Sequence, residues 1–339
     1  MPSPHSFNHH KSIHMKLTEQ IIPLFESDGL RAIMETPVLY RFRYAGADDR
    51  FYFREGSNDF YYSVTSWTRA VLGKAKGLDM WEKLHGAAKA AEMSFIAREY
   101  GTLLHTVVAM HERHEKGFSY EFQSAEIAGY IMEYMTAQKV PAFYFEMYYS
   151  QLENDMLGYF RWKKQYNVRV IAVEYPVWDD TYKIASLVDL VVEHDLWLKK
   201  DGTPYASTPK KPAQTLRTVS LVDLKSGDKS AAYDSYKLQG RFYLHAWNER
   251  FAGTQYQAGQ FYNLHPKDRK RSHGQFHFHT NDWKHDDLFW NYMEQNVVAG
   301  YHKPKSSVKT VTGGEDDFQV VSASPQEWLA NYFETIKIA

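Results

Sequence analysis

The chain contains no cysteine, which excludes disulfides, thiolate zinc sites and iron–sulfur clusters together. It has no surplus of either charge: 40 Lys and Arg stand against 41 Asp and Glu, for a formal net charge of -1. No global basic field therefore advertises a polyanion partner, and any nucleic-acid surface has to be a local patch offset by acids elsewhere. No apolar run approaches membrane-spanning length. The opening MPSPHSFNHHKSIHMK lacks the apolar segment of a signal peptide. Together these absences lead us to expect a soluble cytoplasmic protein with no membrane partner. Neither an internal repeat nor a domain linker is visible.

Aromatics, by contrast, are abundant, with 25 Tyr, 20 Phe and 9 Trp among 339 residues. Such side chains fill cores or stack on unpaired bases, and composition does not separate the two. The polar, histidine-rich residues 1–17 read as a disordered extension, and 18–339 as one domain. Its first part, 18–166, is expected to be mainly helical. Helices are expected over Leu17–Met34, Trp81–Glu112, Phe122–Gln138 and Ala142–Tyr166. A small hairpin interrupts them at Leu39–Ala45 and Phe51–Phe53. Tyr61–Gly73 reads as a short strand entering a helix, with Thr65 or Ser66 as the cap. From 167 to 285 the pattern changes to strands at Val168–Val177, Tyr182–Glu193, Thr218–Lys225, Gln257–His265 and Gln275–Thr280, with a helix over Ala231–Phe251. Leu196–Arg217, rich in proline and lysine, reads as a loop or hairpin arm. Closing helices are expected at Asp286–Ala299 and Pro325–Ile338. The fold class is mixed α/β: a central mixed sheet flanked by helices, with a helical N-terminal layer.

Three of the apolar strands carry an acid. In VSLVDLKSG, Asp223 and Lys225 are two residues apart and share a strand face with Val219 and Leu221, while Val222 and Leu224 line the other. Asp189 lies within KIASLVDLVVE, where Ala185, Leu187 and Val191 share its face and give it no local partner. Glu174 follows IAV on a third strand. Acids inside apolar strands cost desolvation unless they are paired or bind a cation. An Asp–Lys salt bridge would account for Asp223 and Lys225 alone; a divalent cation accounts for all three acids. Hard oxygen donors suit Mg2+ or Mn2+.

At these residues the chain resembles the PD-(D/E)XK nuclease superfamily, in its RecB-like exonuclease branch, which includes phage-type exonucleases and the mitochondrial genome maintenance exonuclease. The matching features run in order. GTLLH ends at His105, VEYPVW carries Glu174, and Ser186-Leu187-Val188-Asp189 stands for the G-x-x-D strand. Asp223-Leu224-Lys225 then precedes a Ser-Gly turn, and Gln239 and Tyr243 form Q-x-x-x-Y. Ser186 departs from the family's glycine. The resemblance implies a restriction-endonuclease-like core, with His105, Asp189, Asp223 and the Leu224 carbonyl as metal ligands. Lys225 would be the catalytic lysine beside Asp223, Asp189 and Glu174, with Gln239 and Tyr243 supporting the site or contacting substrate. It implies a metal-dependent DNA exonuclease without an iron–sulfur cluster, acting in phage or mobile-element recombination, replication or repair. The partners it implies are DNA with a free end and a recombinase or single-strand-annealing protein; for a phage gene the compartment is the host cytoplasm.

Two basic clusters are the candidate phosphate contacts: Lys199, Lys200, Lys210, Lys211 and Arg217 around the 196–217 arm, and Lys267, Arg269, Lys270 and Arg271 in a turn. Trp178, Tyr182 and Tyr205 are candidates for base stacking. His111-Glu112-Arg113-His114 lacks the zinc-binding H-E-x-x-H spacing and reads as an exposed, charged helix end. Two rivals remain: a non-catalytic nucleic-acid-binding accessory protein on the same fold, and a structure-specific endonuclease.

Overall fold

The computed structural model describes residues 39–43, 49–54, 60–73, 76–112, 124–205, 209–227, 233–267, 269, 274–280 and 282–303, with the short strands 310–311 and 320–321. The expected 1–17 extension, the helices expected over Leu17–Met34 and Pro325–Ile338, and Lys270 and Arg271 lie outside the described residues.

The elements in chain order are β1 (Leu39–Arg43), β2 (Arg50–Arg54), β3 (Phe60–Ser63), α1 (Val64–Leu72), α2 (Lys76–His85), α3 (Ala87–Glu112), α4 (Ser124–Ala137), a 3-10 turn (Ala142–Tyr144) and α5 (Phe145–Gln165). Then come β4 (Arg169–Asp179), β5 (Ile184–Leu198), β6 (Gln214–Leu224), α6 (Asp234–Phe251), β7 (Ala258–Pro266), β8 (Phe276–Thr280), α7 (Asp286–Val298), β9 (Thr310–Val311) and β10 (Val320–Val321). Strands β1 to β8 form one sheet in the order β1-β2-β3-β5-β6-β7-β8, with β4 paired to β5. Pairing is parallel for β3–β5 and β6–β7 and antiparallel elsewhere. The mixed α/β class with a central mixed sheet is thus what the sequence led us to expect, but the N-terminal hairpin is no isolated ornament. It enters the central sheet through β3.

Helices cover both faces. On one, α3, α4 and α5 pack through Leu103, Leu104, Val107, Ile131, Leu152 and Trp162 onto Val173, Leu190, Val222 and Leu264. On the other, α1, α6 and α7 pack through Trp67, Phe242, Trp247 and Phe289 onto Tyr175, Val188, Leu221 and Phe261. Strands buried on both faces explain the near-continuous apolar runs of β4 to β7. Among the described residues no helix is long and apolar enough to cross a membrane.

Two local expectations need correction, and two are sharpened. The mostly helical stretch Trp81–Glu112 is divided between α2 and α3 at Gly86, whose φ of 79 lies in the left-handed region that glycine enters without steric cost. Helix α1 is capped by Ser63, whose side chain accepts from the Ser66 N–H at 3.1 Å, and not by Thr65 or Ser66. Of the two readings of the 196–217 arm, the hairpin is the one adopted: β5 runs on to Leu198 and β6 begins at Gln214, paired residue for residue. Glu112 is buried, accepting from the Tyr159 hydroxyl and the Lys163 ammonium at 2.8 and 2.6 Å, so this helix end is a polar anchor between α3 and α5.

One titratable group inside this scaffold makes stability depend on pH. His194, buried between β5 and β6, has Nδ1 at 3.1 Å from the Asp195 carbonyl and Nε2 at 2.9 Å from the Ser220 hydroxyl. The carbonyl can only accept, so Nδ1 carries the hydrogen and Nε2 accepts from Ser220. Burial lowers its pKa from 6.5 to about 4. Between those values the unfolded chain binds more protons than the folded one, so His194 costs stability as pH falls through that window. The loss is on the order of 3 kcal/mol. Urea unfolding at pH 7 and pH 4.5 is expected to show a steeper loss for the wild type than for His194→Gln; equal slopes would assign the acid sensitivity to other groups.

Candidate metal centre

The strand pairing leaves an opening beside β5. One edge of β5 pairs with β4 from Ile184 to Glu193. The other edge pairs with β3 at Ile184 and Ala185, then with β6 from Leu190 onward. Ser186 to Asp189 therefore face a gap between the ends of β3 and β6, and a side chain at the gap's rim can reach across it. Asp189 does so: its Oδ2 accepts from the Leu224 N–H at 2.7 Å.

The alternation of faces also breaks here. On β5, Val188 and Val191 pack on the α6 side while Leu190 and Val192 pack on the α3–α5 side. On β4, Val173 packs on the α3–α5 side while Tyr175 and Val177 pack on the α6 side. Both strands switch parity at the opposed residues Glu174 and Asp189. Glu174 adopts a φ of 50, costly for a residue with a Cβ. The two-residue alternation that placed Asp189 on one face with Ala185, Leu187 and Val191 does not hold through this point.

His105 is carried in from α3, with Nδ1 at 3.5 Å from Asp189 Oδ1. One ligand atom from each of His105, Glu174 and Asp189 lies within 4.8 Å of the others. Asp223, at the end of β6, accepts from Lys225 Nζ at 2.6 Å and from Asn263 Nδ2 at 2.7 Å. Asn263 sits in register with it on the parallel neighbour β7. The Lys225 ammonium also lies 4.4 Å from the ring centre of Tyr236. Gln239 and Tyr243 line the α6 side of the gap. Gln239 Nε2 donates to the Tyr243 oxygen at 2.7 Å, and the Tyr243 hydroxyl lies 3.0 Å from Ser186 Oγ. With its oxygen already accepting from Gln239, Tyr243 has its own hydrogen to give to Ser186. Ser186 thus has a bonded role.

The electrostatics follow from acids gathered in one half-buried place. Burial opposes charge on His105, yet Asp189, with Glu174 and Asp223 behind it, outweighs burial and raises the imidazole to about 9. Burial and the Asp189 charge raise Asp223 to about 6 against the pull of Lys225 and His105. Burial works against the Asp189 carboxylate, but His105 and Lys225 hold it below its ordinary value. Burial likewise works against the Lys225 ammonium, and Asp223 prevails and raises it. A site that drags a histidine proton-affinity upward has surplus negative charge for a cation to neutralise. One imidazole and two carboxylates, oriented to one point, fit a divalent ion. Of the three acids expected to share a cation, Glu174 and Asp189 meet His105 within 4.8 Å, Asp223 is paired with Lys225, and Leu224 takes part through its N–H.

Behind the site, α3 and the Ser-Gly turn touch. A Cβ on Gly101 would come within 2.9 Å of Ser226 Oγ, so the glycine four residues before His105 permits that approach. Arg269 holds the same turn. It donates to the Ser226 carbonyl at 2.7 Å and to both oxygens of the fully buried Asp155 at 2.9 and 2.5 Å. Sequence reading missed Asn263, Tyr236 and the Asp155–Arg269 pair. Only Asn263 left a signal, as a polar residue inside the apolar run QFYNL.

The expected phosphate contacts divide. Lys199, Lys200, Lys210 and Lys211 are exposed at the tip of the β5–β6 hairpin. Ten residues of strand separate Asp189 from Lys199, ~33 Å at 3.3 Å each, so these lysines do not lie beside the acids. Arg217 pairs with Asp195 at 3.0 Å and Glu193 at 3.6 Å. Lys267 and Arg269 follow β7, whose end is in register with that of β6, and so lie at the acid end. Trp178 packs under Arg250, Tyr182 against Trp290 and Tyr205 under Lys199.

Arg269 is thus a structural cation first. Arg269→Ala strands a buried carboxylate and is expected to cost about 3–5 kcal/mol in urea unfolding. Lys267→Ala, at the exposed rim of the same turn, is expected to change stability by less than about 0.5 kcal/mol. Equal effects would remove the buried pair from this role. No protein-family model matches the chain and no curated protein matches it, which leaves the site's own geometry as the ground for a functional reading.

Proposed function

We propose that this chain is a Mg2+- or Mn2+-dependent deoxyribonuclease that degrades DNA from an end. The observation that carries the reading is the convergence of His105, Glu174 and Asp189 within 4.8 Å beside the Asp223–Lys225 pair at 2.6 Å. His105, Glu174 and Asp189 would hold the cation, with Asp223 next to them. A bound divalent ion supplies Lewis acidity toward a phosphate oxygen and lowers the pKa of water.

The chain's own groups do the rest. Lys225, kept protonated by Asp223, presents a fixed positive charge where negative charge develops on the phosphoryl oxygens. Asn263 donates to the same Asp223 oxygen as the lysine and helps hold that oxygen on the ammonium. The ring of Tyr236 further restrains the ammonium by a cation–π contact. Water attacks phosphorus as the bond to the leaving oxygen breaks, and a proton reaches that oxygen. The gap between β3 and β6 is where the scissile phosphate has access to all of these groups. The metal-ligand set and the lysine favour this reading over a binding protein, which needs neither.

Asp189→Asn and Lys225→Ala are expected to lower cleavage of end-labelled linear DNA by about 10^2–10^3-fold or more, with circular dichroism unchanged. A covalently closed circle is expected to survive. Cutting of the circle would convert the assignment to an endonuclease. Wild-type protein that binds DNA and releases no product with either metal would make it a binding protein.

A further inference from the structure

A second group of metal-type donors lies where the proposed reaction has no use for it. Asp179 ends β4, and His245 and Glu249 are four residues apart on α6, hence on one helix face. His245 Nε2 is 2.7 Å from Asp179 Oδ2 and 3.8 Å from Glu249 Oε2. One donor atom from each of the three lies within 4.8 Å of the others. This face of α6 differs from the one bearing Gln239 and Tyr243, and five residues of β4 separate Asp179 from Glu174, ~16 Å at 3.3 Å each.

We propose that Asp179, His245 and Glu249 form a second divalent-metal site, suited to a transition metal of the zinc type. The donor set of one imidazole and two carboxylates is that of a borderline cation. In a tetrahedral site with bonds of about 2.0–2.1 Å, neighbouring donors stand ~3.3 Å apart. The two separations seen here, 2.7 and 3.8 Å, straddle that value and need only small side-chain adjustments to meet it. The hydrogen on the line between His245 Nε2 and Asp179 Oδ2 has to leave Nε2 before that nitrogen can bind a metal.

Two further observations give the site its character. Asp179 is buried, and its other oxygen accepts from the Tyr182 N–H at 2.6 Å. That ligand is therefore fixed in orientation by the β4–β5 turn, as metal-binding carboxylates are. A cavity of about 470 Å³ is lined by Arg241, His245, Asn248 and Glu249 among others. Three protein ligands with an open side leave a coordination position for water. The metal would staple the tip of the β4–β5 hairpin to α6, independently of whether the chain cuts DNA.

The test is zinc titration of the full chain by calorimetry, comparing wild type, Glu249→Ala, His245→Ala and Asp189→Asn. The Glu249 side chain is 60% exposed, so Glu249→Ala removes a ligand without disturbing the core. Histidines near the N-terminus contribute the same background to every chain. Wild type and Asp189→Asn are expected to share one zinc-binding event that Glu249→Ala weakens at least about tenfold and His245→Ala abolishes. Zinc is expected to raise the melting temperature of Asp189→Asn more than that of Glu249→Ala. Manganese-dependent cleavage by Glu249→Ala should match wild type. Identical stoichiometry and affinity in wild type and Glu249→Ala, with zinc held only at the His105 site or by the N-terminal histidines, would overturn the proposal.

Discussion

Three carboxylates, Glu174, Asp189 and Asp223, are held together where β5 has lost a neighbouring strand, and the surrounding structure is arranged around keeping that charge tolerable. Inside a sheet buried on both faces, unpaired acids would take up protons or melt the strands. Here Asp223 and Asp189 each have compensating groups. Lys225 and Asn263 bind Asp223, while His105 and the Leu224 N–H serve Asp189. Compensation is incomplete, since His105 rises to about 9 and Asp223 to about 6. The folded chain therefore carries a residual attraction for cations at one point, produced by position and not by composition.

That point exists because two helical layers hold the sheet ends in place from opposite faces. Helix α3 brings His105 from one side, with Gly101 closely approached by the Ser226 side chain, and Arg269 fixes the turn against Asp155 of α5. Helix α6 closes the other side through Gln239, Tyr243 and Ser186. The backbone cost of a positive φ at Glu174 is borne by a strand whose every other residue from Val170 to Val177 packs into one of the two cores or, like Pro176, pairs with β5. Packing this extensive can maintain a strained conformation that local propensity would reject.

The strands and the acids were legible because period and burial leave a direct trace: an acid in an apolar β-branched run is conspicuous. The order of the sheet was not, because β3 meets β5 across more than a hundred residues of sequence, and nothing local encodes that pairing. The face of Asp189 was misjudged for a related reason. Strict alternation assumes an unbroken pleat, and the irregularity that reverses it depends on Glu174 across the ladder. Glu112 was read as an exposed charge and Arg269 as a phosphate contact because their partners, Tyr159 with Lys163 and Asp155, lie on α5. Charge runs report hydrophilicity, whereas the decision between surface and ion pair is made by tertiary neighbours.

The lysines of the β5–β6 hairpin illustrate the same limit and constrain how a polyanion could lie on the proposed site. With a net charge of -1 and its acids at one end of the sheet, the chain offers no long-range attraction toward that end. Exposed charges beyond a Debye length of about 8–10 Å are largely screened, so lysines ~33 Å along the strand cannot offset the repulsion between a phosphate and the acids. Lys225, fixed within the cluster, and Lys267, past the neighbouring strand end, are better placed to do so. A bound duplex or strand that also touched the hairpin tip would have to run along β5 for about ten nucleotide steps of 3.4 Å. On the proposed reading the hairpin would serve as a distant contact for a long substrate, while affinity at the acids would be set by the few charges beside them and by the cation they attract.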